Sequence, residues 1–280
     1  MASSTREESM VLVIGELINT SRKTIKEAIE SQDADYIKDI ALKQVEAGAH
    51  CVDINCGTFS EIDREPETMV WLVQTVREVT TVPLSVDTPD PEALEAGLRM
   101  LRDISPIINS ITAENHRYET ILPLALKYKA RVIALCMDDR GIPESAADRI
   151  RIVRWLVDHL VAAGIPKEDI YLDPLVRPVS TGDQAGLSVL ETIRFIRSEY
   201  PEVHSICGLS NISYGLPNRR VLNQTFLVQT MTMGMDAYIL DPLDKGMMGF
   251  LYASQALLGQ DQYCRQYLGA HRKGFYRQVL

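Results

Sequence analysis

The chain lacks the marks of several large functional classes. No apolar run approaches the roughly 20 residues that span a bilayer. The opening MASSTREES has no basic flank leading into an apolar core, so no secretory signal is expected and the cytoplasm is. Residues 1–9 read as a disordered or vector-derived tail. The five cysteines (51, 56, 136, 207 and 264) form no CxxC pair and no His/Cys cluster at zinc spacing. Four of them lie in or beside apolar stretches, where a reduced thiol behaves as a small hydrophobe. Positive charge is short: 29 Lys and Arg face 38 Asp and Glu, and the net charge of −9 argues against nucleic acid as a partner. There is no GxGxxG fingerprint and no P-loop. A GxSxG elbow is missing too, because Gly208-Leu209-Ser210 has no second glycine at the required place. No lysine stands in a central apolar strand for Schiff-base chemistry. No histidine ends such a strand; His50 and His204 begin theirs. Without one to activate it, Cys136 at the end of its strand reads as core.

What is present is alternation. Eight apolar strand candidates begin near residues 10, 50, 83, 106, 131, 169, 204 and 236. Helical patterns lie between most consecutive pairs: about 33–47, 66–79, from Asp90-Pro91 onward, 145–163, 187–199 and 218–233, with a last one at about 245–258. In the first, Ile37, Ile40, Ala41 and Val45 share a face and Gly48 is the stop; Asp90 caps a helix with proline at its first position. Strands alternating with helices imply a parallel sheet with right-handed crossovers. Eight such units in 280 residues favour a closed (β/α)8 barrel over an open sheet. No linker or shift of composition divides residues 10–280, which we take as one domain. The longest strand-to-helix loop, Pro174 to Gly186, follows the sixth strand and is placed to fold over the mouth.

The strands finish on polar residues. VLVIG leads into Glu16 and Asn19, HCVDIN delivers Asp53 and Asn55, and PLSVD ends at Asp87. PIINS ends at Asn109, IYLDP at Asp173, HSICGLSN at Asn211 and DAYILD at Asp241. A barrel gathers such ends at one opening, where barrels keep their active sites. Asp53, Asp87, Asp173 and Asp241 then converge with no strand lysine to balance them. Such a cluster binds a divalent ion or a ligand rich in N–H donors. The ion reading lacks the histidines usual at such sites. The ligand reading uses Asp87, Asp173, Asn109 and Asn211 together, since ionised Asp only accepts while Asn both donates and accepts. A pterin edge, with ring nitrogens, a 2-amino group and a 4-oxo group, calls for that mixture. Some strand-end groups only cap helices or brace loops. Asp90 is read so, and for Asp53 and Asp241 both roles stay open.

Taken in order, the strand ends resemble those of the pterin-binding methyltransferases, in particular the methyltetrahydrofolate:corrinoid protein methyltransferases. The matching stretches are Ile14-Gly15-Glu16 with Ile18-Asn19, Val52-Asp53-Ile54-Asn55 with Gly57, and Val86-Asp87-Thr88. Next come Ile108-Asn109-Ser110 with Ala113-Glu114, and Met137 with Gly141-Ile142-Pro143. Leu172-Asp173-Pro174-Leu175 and Gly208-Leu209-Ser210-Asn211-Ile212-Ser213 follow, with Asn218-Arg219, Asn223 and Thr225-Phe226-Leu227. The likeness runs from residue 10 to about 265.

That resemblance implies a pterin-binding TIM barrel that exchanges a methyl group between N5 of tetrahydrofolate and the cobalt of a protein-bound corrinoid. It implies that Asp87, Asn109 and Asp173 hold the pterin ring and that Asn211 reaches N5 as the catalytic residue. Asn19, Asp53, Gly208, Ser210 and Arg219 belong to the same site by the same likeness. It implies folate as substrate, a corrinoid (cobalamin) carried by a partner protein that docks at the barrel mouth, a homodimer, and no resident metal. Two residues depart from the pattern: Leu17 stands where relatives have arginine, and Tyr214 where they have glutamine. Dihydropteroate synthases share the barrel, but their glycine-rich segment with a lysine is replaced here by Leu175-Val176-Arg177. The alternatives are a divalent-metal lyase or aldolase using Asp53, Asp87 and Asp241, and a non-catalytic folate-binding barrel.

Overall fold

The computed structural model describes residues 11–57, 64–101 and 104–278. The expected tail at 1–9 lies outside them. Eight parallel strands close into a barrel in sequential order. They are β1 (Leu12–Asn19), β2 (Cys51–Asn55), β3 (Leu84–Asp87), β4 (Ile107–Ala113), β5 (Arg131–Asp138), β6 (Ile170–Asp173), β7 (His204–Gly208) and β8 (Ala237–Leu240). Among the described residues, ten α-helices accompany it: α1 (Lys23–Glu30), α2 (Ala34–Glu46), α3 (Glu65–Arg77), α4 (Pro91–Arg99), α5 (Asn115–Tyr128), α6 (Ala146–Ala162), α7 (Ala185–Glu199), α8 (Arg219–Met233), α9 (Lys245–Leu257) and α10 (Arg265–Arg272).

Every strand candidate forms, and the helices read from periodicity form within two residues of their expected bounds. Three helices were not read. The eight residues of α1 carry no side-chain cap, α5 contains Pro123, and α10 buries only Ala270. None offers the long apolar stripe that makes a helix legible. The expected last helix is α9, and α10 follows it as a correction. Three strand ends also differ. Strand β1 runs on through Glu16 to Asn19, and β4 continues past Asn109 to Ala113 with shifts of register against β5. Strand β7 stops at Gly208, so Asn211 sits beyond it in a 3-10 turn, Leu209–Ser213.

Side chains alternate across a strand, so residues two apart share a face. Val52, Ile54, Val86 and Ile108 face outward and pack with Ile37, Met69, Leu72 and Leu98 of the helices. A second outer cluster joins Val13, Cys207, Leu227, Met231 and Leu251 beneath α7 to α9. Inside the barrel, Ile14, Cys51, Ile107, Ile133, Tyr171, Ile206 and Ala237 form a separate apolar layer, at most 6% exposed. Two residues further along those strands come Glu16, Asp53, Asn109, Leu135, Asp173, Gly208 and Ile239. A polar layer therefore rests on an apolar floor at the strands' C-terminal end.

Candidate active site

Strand register sets the polar layer. Asn55, Asp87 and Asn109 stand abreast on β2, β3 and β4, and Leu135 lies beside Asp173 on β5 and β6. Two amide–carboxylate pairs lock the near side. Asn55 Nδ2 donates to Asp87 Oδ2 at 2.7 Å, and Asn109 Nδ2 donates to Asp53 Oδ1 at 3.3 Å. Asn55 Oδ1 in turn accepts from Gly57 N at 3.1 Å. Burial raises both carboxyls above their usual range, and the Asp87 charge lifts Asp53 further still. The Asn55 amide and the Arg117 guanidinium oppose the rise at Asp87.

On the far side, Asp173 closes β6 and is 7% exposed. Its Oδ1 accepts from Leu175 N at 2.7 Å. Burial pushes its carboxyl up to about 7, with that N–H and the Arg149 charge working the other way. Asp173 therefore titrates near neutrality and presents a hydrogen-bond acceptor above that pH.

Asn211 reaches back over the end of β7. A Cβ added at Gly208 would stand 3.5 Å from its Nδ2. It is exposed, and its side-chain amide has no hydrogen-bond partner among the described residues. The turn beneath it is tied by Arg219, whose Nη2 donates to Ser210 O at 2.7 Å and whose Nε donates to Ser213 Oγ at 3.0 Å. Glu16, Ser210, Asn223 and Asp241 line a cleft of about 100 Å³ at the same edge. Burial raises Glu16, while Arg22 at 3.2 Å holds it down.

The structure thus gathers Asp53, Asp87, Asn109 and Asp173 at the strands' C-terminal end, with Gly208 closing β7, Ser210 and Asn211 on the adjoining turn, and Arg219 opening α8. Asn19 does something local: its Oδ1 accepts from Ser21 N at 2.9 Å and braces the turn into α1. Of the two departures, Leu17 is buried with its N–H donated to Gln44 Oε1, and Tyr214 is 68% exposed beside the Asn211 turn. Loop 174–186 meets that turn through Ser180 Oγ, which donates to Tyr214 O at 3.0 Å. Cys136 is buried, and burial raises its thiol far above the range of a nucleophile. Among the described residues, no group of three or more His, Cys, Asp or Glu side chains could hold a metal ion. No helix among them is long and apolar enough to cross a membrane.

Arg117 was missed from sequence, and Asn55, named there at the end of its strand, was given no role in the site. Asn55 shares a face with Asp53, and that period-two spacing was the available signal. Arg117 was hidden because its helix was not read. Its guanidinium donates to Ser110 O, Thr88 O and Pro89 O at 2.6 to 3.1 Å, joining the segments that carry Asp87 and Asn109.

Comparison with known proteins agrees with this architecture. Residues 15–241 match the model of the pterin binding enzyme family. The chain is 36% identical over 266 residues to a methylcorrinoid:tetrahydrofolate methyltransferase of Eubacterium limosum, covering 94% of this chain and 97% of that one. It is 30% identical over 246 residues to the methionine synthase of Mycobacterium tuberculosis, covering 83% of this chain but spanning only 20% of that longer protein. Among solved structures, dihydropteroate synthase from Clostridium difficile superposes with a TM-score of 0.68 at 16% identity, over 89% of this chain and 97% of that one. The Yersinia pestis enzyme gives 0.65 at 18%, over 90% and 95%. At those identities they share the fold alone. A closed parallel barrel with carboxylates and amides layered at its mouth, matched along most of its length by these sequences, belongs to the pterin binding enzyme family.

Proposed function

We propose that this chain is a methyltransferase that moves a methyl group between N5 of tetrahydrofolate and a corrinoid carried on a separate protein. One observation carries the reading. Asp87, Asn109 and the buried Asp173 gather acceptors and donors at the mouth, and beside them Asn211 offers an amide with no hydrogen-bond partner among the described residues. The layer suits the flat edge of a pterin, and the full-length likeness to a methylcorrinoid:tetrahydrofolate methyltransferase supplies the chemistry.

In this role the three layer residues hold the ring, and the paired Asn55 and Asp53 hold two of them. A neutral tertiary amine parts poorly with a methyl, because the departing nitrogen would carry negative charge. Protonation at N5, by a proton delivered through water, lets neutral tetrahydrofolate leave. The Asn211 amide donates to the N5 lone pair and, once rotated, accepts from the protonated nitrogen. Orientation supplies much of the remaining rate. The corrinoid, as co-substrate on its partner, provides the cobalt that gives or takes the methyl. It is too large for the barrel interior, so the partner protein docks at the mouth. The enzyme acts in the cytoplasm as a homodimer, the state that the resemblance implies.

Calorimetric titration with methyltetrahydrofolate tests the site, followed by methyl exchange with a cobalamin-loaded protein. Saturable binding, weakened in Asp173→Asn, is expected. A protein that binds no folate sinks the proposal, and one that binds folate but exchanges no methyl is a folate-binding barrel only.

A further inference from the structure

Arg149 lies one turn into α6 and is fully buried. A buried guanidinium ordinarily sits against a carboxylate. Among the described residues this one forms no ion pair. Instead, Nε donates to Pro174 O at 2.7 Å, Nη2 to Leu175 O at 3.4 Å, and Nη1 to Glu144 O at 2.9 Å, Ser145 O at 3.3 Å and Ser188 Oγ at 3.1 Å. Two of those carbonyls belong to the turn directly after Asp173. Leu175 holds a left-handed backbone conformation, φ +59°, which costs a non-glycine residue about 1 kcal/mol or more. Its N–H points at the Asp173 carboxylate and its carbonyl at Arg149. The turn is thus gripped from two sides, and one grip is the side chain it positions.

We infer that Arg149 is a positioning residue for the mouth: its fork fixes the Pro174-Leu175 turn that aims Asp173, and it sets a positive charge behind that carboxylate. No other cation acts as strongly on Asp173. From β5 and β7 it faces the thiols of Cys136 and Cys207, both kept protonated by burial. Around Arg149 itself lie Asp148 on α6 and Arg177 in the loop after β6. Burial alone drives Asp173 toward its neutral form, which loses acceptor capacity. The arginine counters that drift without forming a contact that would occupy the carboxylate.

Because the role rests on Asp173 holding the pterin, its test has one arm that needs no folate. Carbon-13 NMR of aspartate-labelled, ligand-free protein follows the Asp173 carboxyl, identified by its loss in Asp173→Asn. In Arg149→Gln its midpoint moves to higher pH. In Arg149→Lys the midpoint stays near that of the wild type, because the charge is kept. Calorimetry with methyltetrahydrofolate forms the second arm. At neutral pH, affinity falls about tenfold in Arg149→Gln and recovers only in part as pH rises, because the turn stays without its fork. It falls in Arg149→Lys at every pH, because one ammonium cannot hold both turn carbonyls. Ser188→Ala removes only the hydroxyl that seats the guanidinium, and lowers affinity about threefold in a protein that melts like the wild type.

An Asp173 midpoint unmoved in Arg149→Gln overturns the inference, as does unchanged affinity in the folded variants. Should neither Arg149 variant fold, unchanged affinity in Ser188→Ala does so. Wild-type protein that fails to bind folate removes the proposed function, yet the ligand-free titration still decides what Arg149 does.

Discussion

Asn55 hands its amide to Asp87 across the β2–β3 pair at 2.7 Å, and its own carbonyl oxygen is fixed by Gly57 N. Both ends of the amide are spoken for, so its orientation is set and Asp87 always meets a donor. The asparagine that matters here is one step removed from any substrate.

Asn55→Ala leaves Asp87 buried with one hydrogen bond fewer. Its carboxyl should climb further from the usual range and hold its proton more readily. Folate affinity should fall by about tenfold, the scale of one hydrogen bond to a charged group. Calorimetry at neutral pH reads it, and an unchanged affinity would show that Asp87 needs no support.

Asp173 sets stability against binding. Burial raises its carboxyl to about 7, so between roughly pH 4 and 7 the folded protein keeps a proton that the unfolded chain has lost. Its contribution to stability is complete below about pH 4 and is lost as pH rises through about 7. Ligand-free Asp173→Asn should therefore melt higher than wild type at about pH 8, with the gap closing toward pH 5. Folate binding should run the other way. Wild-type affinity strengthens as Asp173 ionises, while the variant is flat with pH and weaker by about 1.5–3 kcal/mol. Melting curves and titrations at a series of pH values give both trends, and parallel trends in the two proteins would contradict them.

Asn211→Ala separates chemistry from affinity. Its amide forms no hydrogen bond among the described residues, so the fold loses little. Methyl transfer should slow by roughly 10²–10³, with folate binding nearly kept. Rapid-mixing kinetics with a cobalamin-loaded acceptor measure the rate. A variant of normal rate would leave protonation at N5 to another group.

Gly15 on β1 is packed against Gln44 of α2. A Cβ there would press into Gln44 Oε1 and lie 2.9 Å from its Cδ. Gln44 is fully buried, and Oε1 is the acceptor for Leu17 N, so it cannot swing aside without orphaning that donor. Gly15→Ala should cost about 1–3 kcal/mol in urea unfolding, the usual toll of overpacking. Gln44→Ala in the same chain should not recover the loss, because Leu17 N then has no acceptor.

The barrel was legible because strands buried on both faces read as short apolar runs and the helices between them carry clear stripes. The site was legible wherever a strand simply ends on its polar residue, as at Asp87 and Asp173. Asn109 and Asn211 were found by type but placed wrongly. One lies inside a strand that continues through a change of register, the other on a turn past the strand's end, and apolar periodicity reports neither event. Arg117 and Arg149 escaped altogether. Arginine has five donors, and here all but one of the bonds they make go to main-chain carbonyls, which have no letter in the sequence.

The apolar floor made by Ile14, Cys51, Ile107, Ile133, Tyr171, Ile206 and Ala237 closes the barrel beneath the polar layer. A small molecule held in the layer above it enters and departs on the side where a macromolecule would land. A seated partner is then also a stopper. With the docking proposed above, turnover would be sequential: the small substrate would load first, the large one visit and withdraw, and the spent molecule escape last. The lifetime of the protein–protein encounter would then set the ceiling on the catalytic cycle.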